Sequence, residues 1–147
     1  MYKKILVLLD GSERAEAVLP HVKDLATRHE ATVVFMRVLE PHIIDVASPF
    51  DTHPEATDKK EGRRMEQTVE YLTAWEKKFQ ADGLDTQQRI ERGPVVRTVL
   101  EHTDADGIDL VAMTSHGRTG LARVFYGSVT AGILHGINRP LLLVRSS

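Results

Sequence analysis

An unbroken apolar run, Ile5-Leu6-Val7-Leu8-Leu9, stops abruptly at Asp10-Gly11-Ser12, and few folds can hold such a run. A strand with one wet face alternates apolar and polar residues, whereas a continuous run belongs to a strand covered on both faces, as in a parallel sheet between two helix layers. Leu141-Leu142-Leu143-Val144 is a second run of the same kind.

The intervening sequence supplies the helices such a sheet needs. After the first turn, Ala15, Val18, Leu19, Val22, Leu25 and Ala26 recur at helical spacing. Ser12 is placed to cap this helix and Glu13 to favour its first turn, while Pro20, inside it, is expected to kink it. Residues 32–38 read as a second strand, and Pro41, Pro49 and Pro54 then punctuate a long loop. From about residue 58 to residue 81, Met65, Val69, Leu72, Trp75 and Phe79 form one apolar stripe against a charged face, and Gly83 stops this second helix. Residues 85–91 alternate weakly around Ile90, as in an edge strand. Gly93-Pro94 opens a third helix with Val95, Val96, Val99 and Leu100 on its buried side, and Gly107 ends it. Residues 110–114 make a fourth strand. Gly127-Ser128 then leads into Val129, Ile133, Leu134 and Ile137 at helical spacing, closed by Asn138 and Pro140. Five strands joined by crossovers that each have room for a helix imply an α/β, doubly wound, mostly parallel sheet with right-handed connections and helices on both faces.

Composition narrows the function classes. A chain of 147 residues, 41% hydrophobic and 27% charged, reads as one globular domain over residues 1–147 rather than a disordered, collagenous or membrane chain. Nineteen Lys and Arg against 21 Asp and Glu leave a net charge of -2, with no excess positive field to hold nucleic acid. The absence of cysteine excludes disulfides, thiolate metal sites and a thiol nucleophile. No run approaches ~18 apolar residues, and the first is too short for a signal peptide, so a cytoplasmic protein without membrane attachment is expected.

Ligands of open doubly wound sheets bind outside the carboxyl ends of the strands, where the strand order reverses. Two segments lie there, Asp10-Gly11-Ser12 after the first strand and the glycine-containing stretch 114–128 after the fourth. Converging amides at a helix start suit a phosphate, and Gly117, Gly127 and Ser128 can supply them. Ser128 also fits a helix cap, Asp10 could merely cap the first turn of the first helix, and Arg118 could be a solvated loop cation. His116 has no carboxylate or serine partner at a recognisable spacing, and His42 and His53 stand too far apart for an ordinary metal motif. No catalytic or metal-ligating set emerges from the sequence.

Residues 3–144 resemble the universal stress protein family in its nucleotide-binding form. The resemblance rests on a spaced signature of glycine, two residues, glycine, nine residues, glycine and a hydroxyl residue. Here it falls on Thr114, Gly117, Gly127 and Ser128, with Thr114 in place of the first glycine. The opening strand with Asp10 and the closing run Arg139-Pro140-Leu141-Leu142-Leu143-Val144 extend the match. The resemblance implies a Rossmann-like sheet of order 3-2-1-4-5 that binds ATP, with Mg2+ on its phosphates. Asp10 and Val38 would hold adenine, and Met113 and Thr114 would flank the nucleoside. Gly117, Arg118, Gly127, Ser128, Val129 and Thr130 would surround the phosphates. It also implies a homodimer through the last strand.

Stretch 114–128 contains no lysine, the chain has no G-x-x-x-x-G-K-[ST] loop, and no base is evidently placed for an attacking water. The expected function is therefore regulatory, an adenine-nucleotide-binding stress-response protein working through conformation or partners. The alternatives are a slow ATPase or nucleotidyl-transfer-like enzyme, and a dimeric stress protein that needs no nucleotide.

Overall fold

The computed structural model describes residues 1–41, 54–115 and 127–146. Five parallel strands, β1 (Lys4–Leu8), β2 (Thr32–Leu39), β3 (Thr86–Arg92), β4 (Leu110–Thr114) and β5 (Leu141–Val144), pair in the order β3-β2-β1-β4-β5. The helices are α1 (Leu19–His29), α2 (Pro54–Ala81), α3 (Val95–Ala105) and α4 (Ser128–Gly136). This is the doubly wound architecture expected from the sequence pattern, in the strand order that the family resemblance implied. Strands β1 and β4 are neighbours although two other strands separate them in the chain, so the winding reverses between them.

Alternate residues of the central strands feed two separate cores, which is why the runs are continuous. Ile5, Val7, Val33, Phe35 and Ala112 pack with Leu19, Val22 and Ala26 of α1 and Leu72 and Phe79 of α2. Leu6, Val34, Met36, Val111 and Met113 pack on the opposite face with Val99 of α3 and Ile133 of α4. Strand β3 is half-buried along most of its length, as an edge strand should be.

Local structure departs from the sequence reading at two helix starts. Pro20 does not kink α1. The chain first makes a 3-10 turn, Ala15–Val18, and the α-helix begins at Leu19, so the proline sits in its first turn, where an amide would lack an intrahelical acceptor in any case. Ser12 accordingly does not cap α1, and its hydroxyl instead accepts the Ala15 amide at 3.2 Å. Helix α2 starts at Pro54, ahead of the expected residue 58, because proline fits a first helical position as well as it fits a loop. The remainder of the expected long loop lies outside the described residues.

Helices α3 and α4 lie unusually close. A Cβ on Gly132 would meet Val96 Cγ2 at 2.7 Å, and one on Gly136 would meet the Leu100 side chain. One turn of spacing on each helix brings the two glycines opposite the two apolar side chains.

Candidate functional site

Segments from both halves of the sheet meet above the β1–β4 reversal. The end of β1 gives Leu8, Leu9 and Asp10, the 3-10 turn gives Ala15, and β2 gives Val38. Val95 of α3, Met113 and Thr114 of β4, and Val129 and Thr130 of α4 complete a cleft of about 140 Å³. Its walls are largely apolar, and its polar groups are few and definite.

Asp10 is held by its own turn. Its Oδ1 accepts the Ser12 amide at 2.8 Å and the Ser12 hydroxyl at 2.6 Å, while Oδ2 takes no hydrogen bond among the described residues. One carboxylate oxygen is thereby fixed and the other left open as an acceptor. Gly11 makes the turn possible, since its φ of 85° is strained for any residue with a Cβ, and the Arg37 guanidinium crowds that side.

Thr114 is buried, and its hydroxyl donates to the Ala15 carbonyl at 3.0 Å. The bond ties the end of β4 to the 3-10 turn across the floor of the cleft. The same turn is held on its other side by Tyr71 of α2, whose O–H donates to Glu16 Oε2 at 2.7 Å. Burial first, then the hydrogen bond and charge of Glu16, push that phenol above the usual tyrosine range, so it remains a donor.

The start of α4 forms the remaining wall. Gly127 is its N-cap, with no side-chain cap, so Ser128 is the first helical residue rather than the cap considered from the sequence. The leading amides of the helix therefore have no side-chain acceptor among the described residues. Gly127 has φ −55° and ψ 162°, and a Cβ there would meet nothing within 4 Å among the described residues. Ser115 Oγ is buried nearby without a hydrogen-bond partner among the described residues.

The family model for the universal stress protein family matches residues 1–145. The chain belongs to this family. Universal stress protein MJ0577 of Methanocaldococcus jannaschii is 27% identical over 155 residues, covering 99% of this chain and 96% of its own. The solved structure of MJ0577 superposes with a TM-score of 0.86 at 28% identity, covering 100% of this chain and 98% of that one. UspA of Lactobacillus plantarum shares the fold at a TM-score of 0.80 and 19% identity, covering 98% of each chain. A universal stress protein crystallised in complex with cAMP shares it at 0.71 and 19%, covering 99% of this chain and 98% of its own.

For this universal stress protein the sequence and the geometry single out much the same corner. Asp10, Val38, Met113, Thr114, Val129 and Thr130, all implied by the family resemblance, line the cleft. Gly127 and Ser128 stand at the adjoining helix start, while Gly117 and Arg118 lie outside the described residues, as do His42, His53 and His116. Leu8, Leu9, Ala15 and Val95 also line the cleft and escaped the sequence reading. The two leucines read only as strand core and the other two only as helix core. Their position at or just beyond a strand end, or in a first turn, was the available signal. No helix among the described residues is long and apolar enough to cross a membrane.

Proposed function

We propose that the cleft binds an adenine nucleotide, ATP above all, and that the protein acts through the bound state rather than by turnover. The observation that carries this reading is the convergence of three features at the strand reversal: the open Oδ2 of Asp10, an apolar slot and the uncapped start of α4. A flat base would lie in the slot lined by Val38, Val95 and Met113, and its amino group would donate to Asp10 Oδ2. The phosphates would then lie toward Gly127 and Ser128, where leading amides and the helix dipole favour negative charge. Gly117 and Arg118 would complete that end of the site, as the family resemblance implies. The same fold holds cAMP in another universal stress protein.

Magnesium would enter with the nucleotide. Among the described residues no three His, Asp or Glu side chains converge on a metal-sized site, so the phosphates themselves would be its anionic ligands. A cytoplasmic homodimer joined through β5 completes the proposed working form.

Thermal unfolding with added ATP tests the reading. A ligand present at 100 times its Kd and specific to the native state stabilises it by about 2.7 kcal/mol. A saturable rise in Tm with ATP, with phosphate release no faster than background, is expected. No rise at millimolar ATP, in protein freed of any co-purified nucleotide, would contradict it, and turnover well above background would favour an ATPase.

A further inference from the structure

We infer that Thr114 is a positioning residue for Asp10, and that the hydrogen-bonded chain joining them sets the base selectivity of the cleft. The inference rests on the nucleotide reading above and assigns a role to the residue that departs from the family signature.

The chain is continuous. Thr114 Oγ1 donates to the carbonyl of Ala15 at 3.0 Å, the Ala15 amide donates to Ser12 Oγ at 3.2 Å, and Ser12 Oγ donates to Asp10 Oδ1 at 2.6 Å. It starts on β4, crosses the cleft floor and ends on the carboxylate at the tip of β1. Ala15 is 5% exposed and Thr114 7%, so water is poorly placed to replace the first link. Glycine at position 114 would have no donor to offer Ala15.

Its consequence is directional. A carboxylate on a turn can rotate to share both oxygens with solvent, and it then discriminates poorly among ligand edges. With Oδ1 held twice by Ser12, Oδ2 is the oxygen of this cleft-lining carboxylate that takes no hydrogen bond among the described residues, and an ionised carboxylate can accept but not donate. A purine with an amino group at its 6-position offers a donor to that oxygen, whereas a 6-oxo purine sets acceptor against acceptor. Anchoring the turn through Thr114 on one side, with Tyr71 holding Glu16 on the other, keeps that choice sharp.

Thr114→Val keeps the shape of the side chain and removes the donor. Calorimetric titration of nucleotide-free protein with ATP and with GTP should show ATP affinity falling about tenfold in Thr114→Val while GTP affinity holds, so that the ratio collapses. Thr114→Ser, which restores the hydroxyl, should recover the ratio. A merely structural loss would weaken both nucleotides in the same proportion. Hydrogen exchange in the ligand-free protein gives a second readout, with the Ser12 and Ala15 amides expected to exchange faster in Thr114→Val. Ser12→Ala cuts the same chain from its middle and should repeat the loss of selectivity if Thr114→Val folds poorly. An unchanged ATP-to-GTP ratio in a folded Thr114→Val would overturn the selectivity role, and unchanged exchange at both amides would overturn the positioning role. Wild-type protein that binds neither nucleotide would overturn the nucleotide reading and the selectivity role with it, and the exchange comparison would still judge the positioning role by itself.

Discussion

Asp106, at the end of α3, shows how single side chains hold the layers in place. Its carboxylate accepts from Arg89 of β3 and from His102 of α3, each at 3.3 Å, and Lys4 Nζ donates to its carbonyl at 3.1 Å. Burial opposes its ionisation, but the hydrogen bonds and charges of His102 and Arg89 more than offset this, and the carboxyl lies below its ordinary value. A carboxyl depressed in the folded state contributes stability that is present above its unfolded pKa, about 3.9, and is lost as pH falls through the lower folded value. Thermal melts from neutral to acid pH should therefore show Asp106→Asn converging with the wild type below about pH 4, and a constant difference at all pH values would contradict this. At this scale the site was only partly legible from the sequence. Asp10 stood out because it ends an apolar run at a strand–helix turn. The bond from Thr114 to Ala15 joins residues 99 apart, and neither periodicity nor local spacing encodes such a pairing.

The elements were more legible than their ends. Continuous apolar runs marked β1 and β5, and apolar stripes marked the helices, because both patterns follow from repeated geometry. The 3-10 turn was missed because Ala15 and Val18 fit a helical stripe equally well, and only the placement of Pro20 hinted that the helix begins later. Gly132 and Gly136 drew no attention among the apolar residues of α4, yet they set its distance from α3. Replacing them should discriminate between stiff and yielding neighbours. In Gly132→Ala the new methyl meets the β-branched Val96 at 2.7 Å, so overpacking of about 1–3 kcal/mol should outweigh the helix propensity gained. Leu100, the neighbour at Gly136, can swing its terminal methyl aside, so Gly136→Ala should cost less. Chemical denaturation would check the order, and equal losses would contradict it.

At the scale of the molecule, β5 closes one side of the sheet with a half-buried apolar strand and no partner beyond it among the described residues. Val111 N donates to Pro140 O and Ser115 N to Val144 O, so residues 140, 142 and 144 turn their peptide groups toward β4 while Leu141 and Leu143 turn theirs outward. An antiparallel pairing of two copies of β5 about a two-fold axis would use those outward groups and remove the edge. Leu143→Pro deletes an outward donor and spares the β4 ladder, so light scattering should give twice the chain mass for the wild type and the single mass for the variant. A wild-type monomer at about 50 μM, a concentration at which a sub-micromolar dimer would be nearly complete, would contradict the pairing. The sequence pattern implied the doubly wound class and the family resemblance its strand order, and that order places the cleft where the winding reverses between β1 and β4. The most direct measurement on that cleft is calorimetric titration of ATP into nucleotide-free wild type and Gly127→Val. The backbone at Gly127 suits any residue and a Cβ there meets none of the described residues, so valine should fold there and fill the corner assigned to phosphate. Expected is saturable binding of one ATP per chain in the wild type, its loss in Gly127→Val and a smaller weakening in Asp10→Ala, whereas equal binding by wild type and a folded Gly127→Val would contradict the assignment.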